Sequence, residues 1–260
     1  MKKILALALC LMMALSLAAC GESSDSDLAY VKEKGTLVVG MTDFAPMDYK
    51  EEGSDEWIGF DADMARAFGE DLGVDVEFVE IKWDNKTMEL QTKAIDVVWN
   101  GMTLTEEVKS LMSCSEPYCL NGQVVVVAAD VADQYQTTES LSGLSFAAEN
   151  GSAGAEQLEA LGLDYIAVDT QAKALMEVAS GASDACVIDL LMAGAMIGEG
   201  TSYPDLTYTV QLNSEEYGVG FRQESDLVDA FNTFWKEAYD AGTVMETAKV
   251  YGVQESIIEK

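Results

Sequence analysis

Two short apolar runs, IDVVW beginning at Ile95 and VVVV ending at Val127, bracket a stretch dense in small polar residues, and neither run alternates strictly. A strand that is apolar at consecutive positions has both faces covered, as in a parallel sheet flanked by helices or where a strand passes between lobes. The first run stops at Asn100-Gly101-Met102-Thr103. A buried strand ending there would release backbone groups and a hydroxyl into a cleft. The pattern suits a binding loop followed by a domain crossover, and equally two ordinary core strands.

The flanking sequence repeats the same alternation of elements. Leu28 to Lys34 suits a short helix, and Gly35 to Gly40 a buried strand that opens into Met41 to Met47. Phe60-Asp61-Ala62-Asp63 begins a helix with Met64, Phe68 and Leu72 four residues apart, closed by Gly73. A strand over Val74 to Ile81 follows, and a short helix over Thr87 to Lys93. Beyond Val127, strands are expected at Leu144 to Ala148, Tyr165 to Val168 and Ala185 to Ile188, the last ending at Asp189. Between them lie a helix around Ala155 to Leu161, entered through small residues, and a helical face of Ala172, Leu175, Met176 and Ala179. Near the end, Leu227, Phe231, Phe234 and Trp235 form one apolar stripe, broken at Gly242 and resumed at Val244 and Ala248. Strands alternating with helices indicate an α/β fold.

Charge and the N-terminus narrow the function. The formal net charge of −31, with no histidine, argues against a nucleic-acid partner, which needs a basic face. No histidine also means no Ser-His-Asp or Cys-His apparatus and no His-based metal site, and no phosphate-binding glycine motif occurs; no cofactor is expected. Lys2 and Lys3 precede an apolar run from Ile4 to Ala19, too short for a comfortable membrane span of about 20 residues and typical of an export signal. Its end, LAACG, resembles a bacterial lipobox, which makes residues 1–19 a lipoprotein signal peptide, Cys20 the lipidated first residue and residues 20–27 a polar tether. Export to a disulfide-permissive compartment, and the turn-like Ser115-Glu116-Pro117-Tyr118 between them, favour a disulfide between Cys114 and Cys119 over two free thiols. Cys186, within an apolar run, is expected to be a small buried hydrophobe.

Ten landmarks in order carry a resemblance over nearly all of Leu28 to Val253. They are TLVVG with the Pro46 loop, IGFDADMARAFGEDLGV, the Trp83-Asp84 pair, IDVVWNGMTLT, SEPY, GQVVVV, GSAG, SDACVID, EYGVGFR and the terminal DAGT. Together they resemble the extracellular solute-binding proteins of polar-amino-acid ABC importers, bacterial family 3. The resemblance implies a type II periplasmic-binding-protein fold: two α/β lobes, residues 28–125 with 217–260 and residues 126–216, joined by two crossover strands and closing on a small ligand. It implies a monomer, held at the outer face of the membrane by its lipid, that serves a permease and its ATPase. By position, Phe44 would cover the ligand and Trp83 form the opposite wall, Asn100, Gly101 and Thr103 would offer carbonyl and hydroxyl groups, and Asp189 would pair with the ligand's ammonium.

Three departures from the family pattern bear on the ligand. The position of the family's carboxylate-clamping arginine is Val108, and the neighbouring Lys109 should point elsewhere on its helical turn. The second hydroxyl residue of the other lobe's carboxylate site is Ala153, leaving Ser152. Glu149 stands at the side-chain end of the pocket, unless it turns to solvent or caps the following helix. Two carboxylates without an arginine favour a cationic amino acid or amine. The alternatives are a binding protein for neutral polar amino acids and a dehydratase-like enzyme on the same fold with Glu149 as general acid.

Overall fold

In the computed structural model, residues 26–260 are described, so the signal segment and Cys20 lie outside the described residues. The chain opens with α1 (Asp27–Lys34), capped by Ser26, and then β1 (Thr36–Met41), α2 (Phe60–Leu72) and β2 (Asp75–Glu80). A 3-10 turn at Trp83–Asn85 leads into α3 (Lys86–Gln91), β3 (Val97–Thr103), α4 (Glu106–Leu111), β4 (Ser113–Cys114), β5 (Cys119–Asn121) and β6 (Gln123–Ala128). Then come β7 (Phe146–Glu149), α5 (Ala153–Leu161), β8 (Tyr165–Val168), α6 (Gln171–Ala179), β9 (Ala185–Asp189), α7 (Leu190–Met196) and β10 (Leu206–Gln211). The chain closes with β11 (Glu215–Phe221), α8 (Leu227–Asp240) and α9 (Thr243–Tyr251).

These elements form two sheets. The first runs β2-β1-β3-β11-β4, with β5 also on β11; the second runs β10-β6-β9-β7-β8. The chain leaves the first sheet between Asn121 and Gln123 and returns between Gln211 and Glu215, giving two adjacent crossings. The two crossings lie close at Gly122, where a Cβ would stand 2.5 Å from Gln211 Nε2 and 2.7 Å from the Asn213 carbonyl. Thus the two-lobed α/β architecture with two crossover strands is present.

The cores follow the apolar periodicity. Phe60, Met64 and Phe68 are fully buried on one face of α2, whose C-cap Gly73 takes the left-handed conformation. They meet Phe231 and Trp235 of α8, with Trp99 4.9 Å from Phe231 between ring centroids. Val97, Val98 and Val124 to Val127 have no exposed surface, so both opening runs are strands covered on both faces. Below β3, Arg222 is buried against Asp27 at 2.9 Å and Asp96 at 3.4 Å, tying β11 to α1 and to the entry of β3.

The expected Cys114–Cys119 bond is not formed: both cysteines are free. Both pair with the same strand, Cys114 opposite Gly220 and Cys119 opposite Tyr217. Three residues along a strand is about 10 Å, well beyond the ~4.4–6.8 Å Cα separation of a disulfide. Burial pushes the Cys114 thiol up to about 11 and raises Cys119 as well, so neither is a reactive thiolate.

Candidate functional site

Parallel strands deliver their C-terminal ends to a common edge, where an α/β protein has backbone groups to spare. Here β1 and β3 of the first sheet and β7 and β9 of the second end at one inter-lobe slot. Phe44, Trp83, Asn100, Gly101 and Thr103 line it from one lobe, and Glu149, Ser152 and Asp189 from the other. The lobes close over it, leaving little free space inside. Closure is held at the rim, where Asn150 Nδ2 donates to Asp84 Oδ2 at 2.7 Å and Lys86 Nζ to the Gly151 carbonyl at 3.1 Å.

The first lobe supplies a braced wall. The Asn100 side chain is spent internally: Oδ1 accepts from Thr42 N and Oγ1, both at 3.0 Å, and Nδ2 donates to the Thr42 carbonyl and Asp48 Oδ2. What Asn100 can offer a ligand is therefore backbone. Gly101 has φ +55°, donates its N–H to Asp61 Oδ2 at 2.7 Å, and lies so close to Phe44 that a Cβ would stand 2.5 Å from that ring. Phe44 in turn packs edge-on against Tyr217, centroids 6.3 Å apart. Thr103 Oγ1 donates to Glu215 Oε1 at 2.9 Å.

The second lobe supplies the charge. Asp189 is 4% exposed, and its carboxylate accepts from Tyr217 Oη, Asn121 Nδ2 and Gln171 Nε2. Burial, reinforced by nearby Glu215, lifts its pKa to about 7 even against those donors. Glu149 is 2% exposed, so it does not turn to solvent, Ser152 rather than Glu149 caps α5, and its Oε1 has no hydrogen-bond partner. Burial first, and the Asp189 charge second, raise it to about 8. Two buried carboxylates facing one slot, one with an unsatisfied oxygen, are an acceptor set for a cation.

Of the departures, Val108 lines the slot as an apolar wall, and Lys109 turns away to Glu106 at 3.4 Å. Ser152 is the N-cap of α5, its Oγ accepting from Ala155 N. Sequence reasoning overlooked Lys86, Thr105, Gln171 and Glu156, all of which line the slot, and Tyr217, which supports Asp189. Lys86 stands three positions after Trp83, and its Nζ lies 4.9 Å over the Trp83 ring. Gln171, at the start of α6, and Tyr217, in β11, meet Asp189 from parts of the chain distant in sequence, for which no local signal exists.

Known proteins place the sequence and the fold in a family. Residues 37–254 match the model of the bacterial extracellular solute-binding proteins, family 3. The arginine-binding extracellular protein ArtP of Bacillus subtilis is 30% identical over 259 residues, covering 96% of this chain and 97% of ArtP. The arginine-bound form of ArgBP from T. maritima superimposes with a TM-score of 0.75 at 34% identity, over 80% of this chain and 99% of that one. An ancestral amino-acid-binding protein, a precursor of cyclohexadienyl dehydratase, gives a TM-score of 0.79 at 29% identity, over 87% and 99%. Sequence match, fold and a slot between two lobes together make this chain a member of the bacterial extracellular solute-binding proteins, family 3.

Proposed function

We propose that the protein captures a small cationic amino acid or amine in the inter-lobe slot and presents it, closed, to an ABC permease and its ATPase. It does so without chemistry, as a monomer carried at the outer face of the membrane by a lipid on Cys20. The observation that carries the ligand class is the pair Glu149 and Asp189, buried in one slot with Glu149 Oε1 unpartnered. An ammonium or guanidinium satisfies both carboxylates, whereas an anionic group would meet Glu149, Asp189 and Glu156 together. The arginine-binding relatives support the same class.

A thermal-shift screen of basic, neutral and acidic amino acids and of polyamines tests this. Stabilisation confined to cationic compounds, and lost in Asp189→Ala, is the expected result; stabilisation by glutamate or aspartate alone overturns it. One observation favours a second reading. Glu149, protonated up to about pH 8, is a carboxylic acid in a closed cleft, as a dehydratase-like general acid would be, and the ancestral relative is a dehydratase precursor. Turnover of a prephenate-like diacid that disappears in Glu149→Gln would establish it in place of the receptor reading.

A further inference from the structure

Behind the first-lobe wall lies a second pair of acids, and neither lines the slot. Asp48, in the loop after β1, and Asp61, in the first turn of α2, have no exposed surface, and each holds one wall residue from the rear. Asp48 Oδ2 accepts from Asn100 Nδ2 at 2.8 Å, and Asp61 Oδ2 from Gly101 N at 2.7 Å. The peptide between Asn100 and Gly101 is planar and trans, so with its N–H turned to Asp61 its Asn100 carbonyl points the opposite way. That carbonyl belongs to a residue whose side chain is already spent on Thr42 and Asp48.

The surroundings decide which acid ionises. Asp61 accepts from the Tyr118 hydroxyl, at 2.9 and 2.7 Å to its two oxygens, as well as from Gly101 N. It also stands at the N-terminal end of a 13-residue helix, where a negative charge is favoured. Asp48 accepts from Asn100 alone, and among the described residues its buried Oδ1 has no hydrogen-bond partner. A charge on that oxygen is uncompensated, and a proton there removes it. No cation relieves the pair: Asp63 and Arg66 of α2, which face Asp48 at longer range, bond to each other at 2.9 Å, and Asp61 faces Tyr118 and the neutral Cys119 thiol. Burial first, and the Asp61 charge second, push Asp48 well above the usual carboxylate range, while burial lifts Asp61 to about 7.

We infer that Asp48 and Asp61 are a split acid pair that positions the slot's backbone: Asp48 keeps a proton on Oδ1, Asp61 ionises and holds the Gly101 N–H, and the Asn100 carbonyl is thereby held toward the slot as an acceptor for the ligand. Both are positioning residues. All the groups involved belong to the first lobe, so the pair acts whether the lobes are open or closed. Its part in binding rests on the cation reading of the slot, whereas the division of the proton does not.

Heteronuclear NMR of the ligand-free protein from pH 5 to pH 9 tests the division, because an amide proton shifts when the carboxylate it donates to changes charge. The wild-type Gly101 amide should titrate near neutral pH, and in Asp61→Asn that titration should vanish. Asp48→Asn copies the protonated acid, so the Gly101 midpoint should stay within about half a pH unit of wild type. A larger fall means that Asp48 carried the charge, and no wild-type titration, or one that survives in Asp61→Asn, means that Asp61 does not hold this amide; each overturns the pair. Calorimetry with L-arginine at pH 8 tests the positioning. Asp61→Ala should bind at least about tenfold more weakly, the worth of one hydrogen bond to a charged group, and Asp61→Asn, whose oxygen still accepts from Gly101 N, should recover to within about threefold of wild type. Wild-type affinity in Asp61→Ala, or no recovery in Asp61→Asn, overturns it; Asp61→Ser replaces Asp61→Ala should the latter not fold. If the wild type binds no arginine, the cation reading falls, and the Gly101 titration alone judges the pair.

Discussion

Replacing Glu149 by glutamine isolates the charge that burial has made costly. Its pKa of about 8, against an ordinary 4.5, means that holding it ionised in the ligand-free closed slot costs about 5 kcal/mol. At pH 7 the group is then about nine-tenths protonated, and Asp189, at about 7, is about half protonated. A cation binds the ionised forms, so its binding at pH 7 should expel protons, the larger share of them from Glu149. The sign follows: both acids are raised, so their charge is present above the raised pKa, and affinity for a cation climbs from pH 6 to pH 8 and levels off beyond. Glu149→Gln should remove the larger part of the proton release at pH 7, flatten the pH slope accordingly, and weaken binding at pH 8 by about 1.5–3 kcal/mol. Calorimetry of arginine binding in two buffers of different ionisation enthalpy measures the proton count directly. No proton release by the wild type, or the same release by Glu149→Gln, would refute the reasoning. In the ligand-free protein the same shifts act on folding with the opposite slope: the native state holds protons the unfolded chain has lost, so stability falls as pH rises from about 4.5 toward 8.

Gly101→Ala should destabilise the first lobe by at least about 1 kcal/mol from its left-handed backbone alone, with the Phe44 clash adding to that, and a lowered melting temperature with weaker ligand binding would report it. Cys114 and Cys119 should both titrate as thiols in denaturant, and dithiothreitol should leave the melting temperature unchanged; a reductant-dependent drop of several degrees would mean that a bond forms.

Much of the architecture was legible because it is encoded locally. The four-residue spacing of Met64, Phe68 and Leu72 marks α2 and its stop at Gly73, and the unalternating Val124 to Val127 marks a strand with two covered faces. Asp189, the last residue of β9, is recognisable as a candidate because polar groups at the ends of buried strands have few other uses, whereas β3 runs on past Asn100 to Thr103. Their tasks within the site are less readable: Asn100 looks like a ligand contact, yet its side chain is consumed by Thr42 and Asp48.

What the sequence by itself determined is the succession of elements, a property of short-range periodicity, while its resemblance to the family implied an acidic slot and no arginine at the position of Val108. Tertiary structure alone decided which charges meet. Strand order brings Glu149 beside Asp189, and lobe closure sets Lys86 from α3 against Gly151. Pairing of β4 and β5 to one strand keeps Cys114 from Cys119. Each of these depends on contacts between residues distant in the chain, and side-chain burial, which sets the pKa values and hence the charge of the slot, exists only once those contacts have formed.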